Sequence, residues 1–318
     1  MKRLFAASLG GVVALFLTGT PAAIADNYPD KPITMTITFK AGGAADIAGR
    51  LAAKAAERLL GQPITVINKL GGGGATGFDF VGKQAPDGYN VGWLSASILT
   101  TTILGNLPYG YDHFEYVCGV TFDATALAVK ADAPWKTLPE FLAAAKKTPK
   151  QVKVGHAGTG SFTYMTAAAL MAQQKADVTF VPVGARRLPA LLAGEVEAIS
   201  VHPPELLAAM KGGKVRLLAI SSPKRVDAYP EVPTFGEIGM ELGFYQFRGI
   251  FVPKGTPQAV KARLSQAFKA SATDPKLLEV AKEHGFGINF IGLDEFPAYV
   301  KRQNELLREV IERTKKKS

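Results

Sequence analysis

The residues ITMTITFKAGGAADIAGR, at positions 33–50, carry the strongest indication of fold in this sequence. Apolar and polar side chains alternate from Ile33 to Phe39, which is typical of a β-strand. A glycine pair follows, and residues 44–60 are rich in Ala, Leu and charged residues, which predicts a helix. Gly-Gln-Pro at 61–63 should end that helix. Strand, glycine turn and helix together form the repeating unit of a parallel α/β sheet.

The same unit recurs along the chain. Further strands are predicted at residues 64–67 and 90–94, separated by a glycine-rich loop at 68–77 and a helix. In the second half, another glycine loop at 155–160 opens a helix at about 162–173. We therefore predict an α/β protein with two lobes, each built on a doubly wound sheet. Ligands of such sheets bind at the carboxyl ends of the strands, so two facing units should enclose a cleft.

The length also suggests two lobes, since domains typically contain roughly 100–200 residues and this chain has 318. The connecting strands are expected near residues 118–125 and 243–251. We expect residues 26–122 and 245–318 to form the first lobe and residues 123–244 the second.

The first 25 residues have the composition of a secretory signal peptide. Residues 1–3 are Met-Lys-Arg, residues 4–18 are uncharged and mostly apolar, and residues 23–25 read Ala-Ile-Ala, a cleavage pattern. The apolar run is short for the roughly 20 residues of a membrane-spanning helix. We therefore expect export to the periplasm, with cleavage after Ala25.

The composition is that of a globular protein with a modest basic excess. Hydrophobic residues make up 47% and charged residues 20%, which argues against disorder. A net charge of +10 suits nucleic acid, an anionic membrane or an anionic ligand. Nucleic acid is disfavoured, because the basic residues form no stripe with interleaved aromatics. The single cysteine, Cys118, cannot form an intramolecular disulfide and is expected to be a buried small hydrophobe.

The first candidate site is the turn between the first strand and the first helix. Glycine lets a ligand approach the backbone closely, and a helix N-terminus favours an anion. Lys40 would add a cation. A plain turn, in which Asp46 stabilises the start of the helix, explains the same residues equally well. The candidate residues are Lys40, Ala41, Gly42, Gly43, Ala44 and Asp46.

A second turn of this kind reads GHAGTGS at residues 155–161. It precedes a predicted helix, so its N–H groups and hydroxyls would also favour an anion. Ser161 is equally suited to cap the helix, and a lone His156 is more often structural than a ligand. The candidates here are Gly158, Thr159, Gly160 and Ser161.

Shorter loops supply the remaining candidates. One of the adjacent Arg186 and Arg187 is expected to pair with a ligand carboxylate, with Arg186 as the candidate, and at least one to lie in solvent. Two serines after the third strand are hydroxyl donors or ordinary loop residues. Besides Arg186, the candidates are Gly184, Ala185, Ser95 and Ser97.

The glycine run at residues 72–77 formally matches the dinucleotide motif G-x-G-x-x-G. It follows the second strand rather than the first, and an exported protein meets few nucleotide cofactors. Glycines that form a tight loop beside the cleft explain the match, so we predict no cofactor.

Catalytic and metal-binding patterns are not evident in the sequence. The histidines lack zinc-site spacing, and Ser161 does not stand in G-x-S-x-G. We therefore predict a binding protein without a metal rather than an enzyme. The alternative is an exported α/β hydrolase acting on a small anionic substrate, which would need a nucleophile, a base and an orienting group. The four histidines are His113, His156, His202 and His284.

Several motifs, taken in order, resemble the extracytoplasmic solute receptors of tripartite tricarboxylate transporters, often called Bug-type receptors. The resemblance runs over nearly the whole chain after residue 25. The matching segments are 28–33 (YPDKPI), 42–50 (GGAADIAGR), 68–77, 85–89 (APDGY), 217–222 (LLAISS) with Arg225, 230–239 (PEVPTFGEIG) and 253–257 (PKGTP).

The resemblance implies the type II periplasmic-binding-protein fold, or Venus flytrap. It implies a mono-, di- or tricarboxylate or an acidic amino acid as ligand, with a di- or tricarboxylate favoured, and large and small integral membrane subunits as partners. It also implies that the turns at 42–46, 158–161 and 184–185 and the loop around Ser95 line the cleft. We expect the receptor to be a monomer.

The sequence departs from the family pattern near the cleft. The first loop of the family usually reads P-F-A-P-G-G, whereas residues 38–43 read TFKAGG. A tryptophan usually stands where this chain has Phe247, which Arg248 follows. Lys40 and Arg186 are therefore unusual, and they favour an anionic ligand. An orphan receptor that feeds a signalling sensor fits the same residues.

Overall fold

The computed structural model describes residues 27–240 and 242–315, and the predicted signal peptide lies outside them. Two mixed β-sheets, of six and five strands, are covered by helices. The predicted α/β class is confirmed. No helix among the described residues is long and apolar enough to cross a bilayer.

The larger sheet has the strand order β11-β4-β10-β3-β1-β2. Its strands are β1 (Ile33–Ile37), β2 (Ile64–Asn68), β3 (Asn90–Ser95), β4 (Phe114–Asp123), β10 (Gln246–Pro253) and β11 (Gly287–Ile291). β1 pairs in parallel with β2 and β3, whereas β10 is antiparallel to β3 and β4, and β11 is antiparallel to β4. The associated helices are α1 (Ala44–Leu60), α2 (Ala75–Gly82), α3 (Ser97–Ile103), α8 (Gln258–Lys269), α9 (Pro275–His284) and α10 (Phe296–Lys315).

The smaller sheet has the order β7-β6-β8-β5-β9. Its strands are β5 (Ala126–Lys130), β6 (Lys153–Gly155), β7 (Thr179–Val181), β8 (Ala198–Val201) and β9 (Val215–Ile220). β6 is parallel to β7 and β8, and β5 is antiparallel to β8 and β9. Its helices are α4 (Leu138–Lys147), α5 (Phe162–Gln174), α6 (Arg187–Leu192) and α7 (Leu207–Lys211).

The antiparallel strands correct the expectation of purely parallel sheets. β4 of the larger sheet is followed, after only Ala124 and Thr125, by β5 of the smaller sheet, and β10 returns to the larger sheet after β9. Parallel neighbours require a crossover connection over their own sheet. Strands that arrive from the other sheet have no such connection, so they pair antiparallel to their neighbours.

Helix α1 shows how the sequence brings a helix close to the larger sheet. Its buried face consists mainly of alanines, and Gly49 lies over the strands. A Cβ atom at Gly49 would come within 2.9 Å of the Ile37 side chain and 3.1 Å of the Trp93 ring. Gly61 ends the helix in the left-handed conformation, as the Gly-Gln-Pro sequence predicts. Close packing of α1 fixes the position of its N-terminus, which lies at the candidate site.

Candidate functional site

A cavity of about 740 Å³ lies between the two sheets, where loops leave the carboxyl ends of β1, β2, β3, β6, β7 and β8. The larger-sheet half contributes Thr38, Phe39, Lys40, Gly43, Ala44, Ala45, Leu70, Gly71, Gly72, Gly73, Gly74, Ala75, Ser97, Asn106 and Arg248. The smaller-sheet half contributes Ala157, Gly158, Thr159, Ser161, Phe162, Thr163, Pro182, Gly184, Ala185, Arg187, His202 and Glu205.

The structure places most, but not all, of the predicted site residues in this lining. Those in the lining are Lys40, Gly43, Ala44, Ser97, Gly158, Thr159, Ser161, Gly184 and Ala185. Those outside the lining are Ala41, Gly42, Asp46, Ser95, Gly160 and Arg186.

At the first turn, Gly43 is the N-cap of α1 and provides no side-chain cap. The first N–H groups of a helix have no acceptor within the helix, so those of Ala44 and Ala45 lie at the cavity wall without one. A Cβ atom at Gly43 would come within 3.2 Å of the Lys40 carbonyl oxygen. The turn is therefore tight and presents backbone N–H groups to the cavity.

Asp46 lies behind this turn and stabilises it through hydrogen bonds. Its carboxylate accepts hydrogen bonds from Gly42 N at 3.0 Å, from Arg50 Nε at 2.9 Å and from Asn68 Nδ2 at 2.9 Å. Burial raises the pKa of Asp46, but these hydrogen bonds outweigh burial and lower the pKa below its usual value. Asp46 thus holds the loop in shape as an ionised carboxylate and lies outside the cavity lining, as does Gly42.

At the second turn, Ser161 caps α5 and also lines the cavity. Its Oγ accepts a hydrogen bond from Tyr164 N at 3.2 Å and lies 3.0 Å from Thr163 Oγ1. Ser97 Oγ, from the larger-sheet half, accepts the N–H of Phe162 at 2.9 Å. Three hydroxyls from both halves therefore converge at the start of α5.

Two predicted residues near this turn are engaged elsewhere. Ser95 Oγ lies 3.1 Å from Ser97 Oγ and accepts a hydrogen bond from Gln246 Nε2 at 2.7 Å, so Ser95 supports Ser97 from beneath the lining. The Gly160 carbonyl accepts a hydrogen bond from the Thr100 hydroxyl and faces α3.

The two adjacent arginines differ in placement. Arg187 is buried and lines the cavity, where its Nη2 lies 2.6 Å from Glu205 Oε2 and its Nη1 donates to the Gly184 carbonyl at 2.7 Å. Arg186 lies outside the cavity and pairs at the surface with Glu195, at 2.7 Å. The expectation that Arg186 faces the cleft therefore does not match its placement, because the 3-10 turn at Gly184–Arg186 directs it outward.

Sequence reasoning missed a buried ion pair at the floor of the cavity. Arg248 Nε and Nη2 lie 2.5 Å from Asp123 Oδ2, and both side chains are almost fully buried, at 1% and 2% exposed. Arg248 lines the cavity from β10. A charged residue inside the apolar strand sequence QFRGIFVP was the available signal. The lining residues Thr38, Asn106, Thr163 and Glu205 had no comparable signal.

His156 is structural. Its Nδ1 accepts the N–H of Gly158 at 3.1 Å, and its ring packs on Tyr164. Burial lowers the pKa of His156 to about 4 by disfavouring the charged ring. His156 is therefore neutral near pH 7, and it holds the second glycine turn in position.

This arrangement suits an anion, because backbone N–H groups, hydroxyls and cations surround one enclosed volume. Within residues 27–240 and 242–315, no group of three or more His, Cys, Asp and Glu side chains could hold a metal ion. The glycine run at 72–74 forms a tight 3-10 turn on the cavity wall, as expected for a loop beside the cleft.

The profile of the tripartite tricarboxylate transporter family receptors matches residues 48–315. The chain belongs to this receptor family. The sequence resemblance is thereby confirmed, and the receptor is a binding protein rather than an enzyme, like the other members and their structural neighbours.

Relatives of the receptor cover nearly its whole length. The protein called UPF0065 protein in gbd 5'region, from Cupriavidus necator, is 32% identical over 87% of this chain and 87% of the relative. BugT of Bordetella pertussis is 28% identical over 90% of this chain and 89% of BugT.

Solved structures share the fold. The periplasmic binding protein BugD superposes with a TM-score of 0.83 at 28% identity, over 90% of the receptor and 98% of BugD. MatC of Rhodopseudomonas palustris, solved with bound malate, superposes with a TM-score of 0.82 at 26% identity, over 89% of the receptor and all of MatC. The predicted periplasmic-binding-protein fold is confirmed.

Proposed function

We propose that the receptor captures a small organic carboxylate in the cavity between its sheets and delivers it to the membrane subunits of a tripartite tricarboxylate-type transporter. The observation that carries this proposal is the convergence of the N-termini of α1 and α5 on one cavity. Each N-terminus carries about half a positive charge, which favours an anion, and the first N–H groups of α1 have no acceptor within their helix.

Side chains of the lining support the same ligand class. Lys40, Arg187 and Arg248 bring three cations to the lining, and Glu205 and Asp123 balance two of them. One positive charge therefore remains, which suits an anion. Ser97, together with the hydroxyls of the second turn, completes the donors. MatC was solved with bound malate, a carboxylate, and has the same fold.

Each sheet is proposed to be the core of one lobe. Residues 26–122 with 245–318 would then form the larger lobe and residues 123–244 the smaller. After export and cleavage at Ala25, a monomeric receptor would act in the periplasm and meet a large and a small integral membrane subunit there.

The binding proposal is tested by thermal unfolding with a panel of carboxylates and their neutral amides. A ligand at 100 times its dissociation constant should stabilise the receptor by about 2.7 kcal/mol. We expect one or more carboxylates to raise the melting temperature and the matched amides to have no effect. Equal shifts with amides would contradict recognition of an anion. Turnover of an ester in a separate hydrolysis assay would favour the hydrolase alternative.

The transport step needs its own experiment. Uptake of the radiolabelled ligand should require the receptor in cells that also produce the two membrane subunits. Uptake that is unchanged without the receptor would contradict delivery to this transporter.

A further inference from the structure

A contact at the rim of the cavity joins the two halves of the molecule. Lys40 follows β1 in the larger-sheet half, and its side chain is 35% exposed. Lys40 Nζ donates to the Ala185 carbonyl oxygen at 3.2 Å and lies 3.7 Å from Glu205 Oε2. Ala185 and Glu205 both belong to the smaller-sheet half. The ammonium group therefore bridges the cleft.

Glu205 is a suitable partner because it is ionised. Burial raises the pKa of Glu205, but the nearby Arg187, His202 and Lys40, in that order, together with the hydrogen bond from Arg187, outweigh burial and hold the pKa below its usual value. The carboxylate is only 9% exposed, so its attraction to Lys40 is less weakened by solvent than that of a surface pair.

The charges are arranged so that the contact can break at little cost. Arg187 Nη2 stays 2.6 Å from Glu205 within the smaller-sheet half, whatever Lys40 does. When the cleft opens, Glu205 therefore keeps a partner, and the ammonium of Lys40 moves into water. Neither side is left with an unpaired buried charge, which is the costly outcome for buried ion pairs.

We propose that Lys40, Ala185 and Glu205 form a latch that favours the closed form of the receptor across its cleft. The inference rests on the proposed two-lobed function, since a latch requires lobes that open. An exposed or half-exposed ion pair contributes up to about 1 kcal/mol, which corresponds to about a fivefold change in the ratio of open to closed molecules.

The latch is tested by small-angle scattering of the ligand-free receptor. At about 10 mM salt the radius of gyration should be smaller for the wild type than for Lys40→Met, which keeps most of the aliphatic stem. At about 1 M salt the Debye length falls to about 3 Å, so the wild-type radius should rise towards that of the variant. Lys40→Arg should retain the smaller radius at low salt.

Lys254→Met is the matched control, because Lys254 is exposed and lies outside the cavity lining. Equal radii for the wild type, Lys40→Met and Lys254→Met at low salt would overturn the latch. If carboxylates still stabilised the wild-type receptor in that case, the proposed function would stand without the latch. A radius that depends on Lys40 and on salt, in a protein that binds no carboxylate, would support the latch and contradict the proposed function.

Discussion

At the scale of single residues, one side of the cavity includes a buried ion pair. Arg248 and Asp123 are fully buried and belong to adjacent strands of the larger sheet, β10 and β4. A buried pair contributes little net stability, but the loss of one partner leaves the other unpaired in a low dielectric.

The two single substitutions in this pair should therefore, when their effects are summed, lower the free energy of unfolding by more than the double substitution does. Arg248→Met or Asp123→Asn alone is expected to lower the free energy of unfolding by about 3–5 kcal/mol. The double variant should lose clearly less than the sum. Urea unfolding measures all three proteins, and additive losses would show that the two charges do not depend on each other.

The buried His156 predicts how stability depends on pH. The pKa of His156 is about 4 in the folded receptor, whereas the ordinary value of 6.5 applies to the unfolded chain. The unfolded chain therefore takes up a proton first as the pH falls. The contribution of neutral His156 to the free energy of unfolding is complete above about pH 6.5 and is lost as the pH falls to about 4. Between pH 7 and pH 5 the loss should be about 2 kcal/mol.

His156→Asn removes this titration and keeps an oxygen acceptor for the Gly158 N–H. Its free energy of unfolding should change less between pH 7 and pH 5 than that of the wild type. His113→Asn, at a partly exposed ring stacked on Tyr109, is the control. If both variants keep the wild-type slope, His156 does not cause the pH dependence.

The sequence alone placed the backbone of the site better than its charges. Strand-to-turn-to-helix patterns locate Gly43, Ser161 and Gly184 beside the cavity, because turn geometry is a local property. Whether Arg186 or Arg187 turns inward depends on a single 3-10 turn and on Glu205, which is distant in sequence. Arg248 was noticed as a departure, but its burial depends on Asp123, more than 100 residues away.

At the scale of elements, the helix starts serve two purposes at once. The Ser161 hydroxyl satisfies Tyr164 N and also faces the cavity. Ser161→Ala should lower the free energy of unfolding by about 1 kcal/mol and weaken carboxylate binding. Unfolding and titration of the same preparation measure the two effects separately.

Thr137→Ala provides the matched control for this cap. Thr137 caps α4 in a capping box with Glu140, away from the cavity. Its loss should cost a similar free energy of unfolding and leave ligand affinity unchanged. If both variants bound equally well, the Ser161 hydroxyl would act only as a cap.

Predictability also varies among elements. The helix α1 matches its predicted bounds, because Gly61 and the alanine-rich pattern are strong local signals. The helix α3, SILTTTI, was not predicted, since its β-branched residues favour a strand and only packing makes it helical. The helix α9 was missed although Asp274-Pro275 and Gly285 mark its two ends.

At the scale of the whole molecule, the two glycine loops meet across the cavity. A Cβ atom at Gly73 would come within 2.6 Å of Ser161 N and 2.7 Å of the Thr159 carbonyl oxygen. A methyl group at this point should hold the halves apart when the cleft closes. Overpacking costs about 1–3 kcal/mol, so Gly73→Ala should weaken binding by about 5- to 150-fold.

Gly72→Ala separates this steric effect from backbone strain. Both glycines have positive φ, +56° at Gly72 and +69° at Gly73, but a Cβ atom at Gly72 meets only Ala75. With saturating ligand, scattering should give a larger radius of gyration for Gly73→Ala than for Gly72→Ala. Identical radii and affinities would mean that the loops do not limit closure.

The central position of β10 has a consequence for how the chain folds while it emerges with its N-terminus first. β10 fills the gap between β3 and β4, yet it is synthesised only after the entire smaller sheet. Until then, the inner edges of β3 and β4 expose unpaired N–H and C=O groups that can pair with other chains. The five-stranded sheet needs no later segment and can form first. The nascent receptor is therefore most prone to aggregation while β10 is still missing, and holding chaperones would act in that interval.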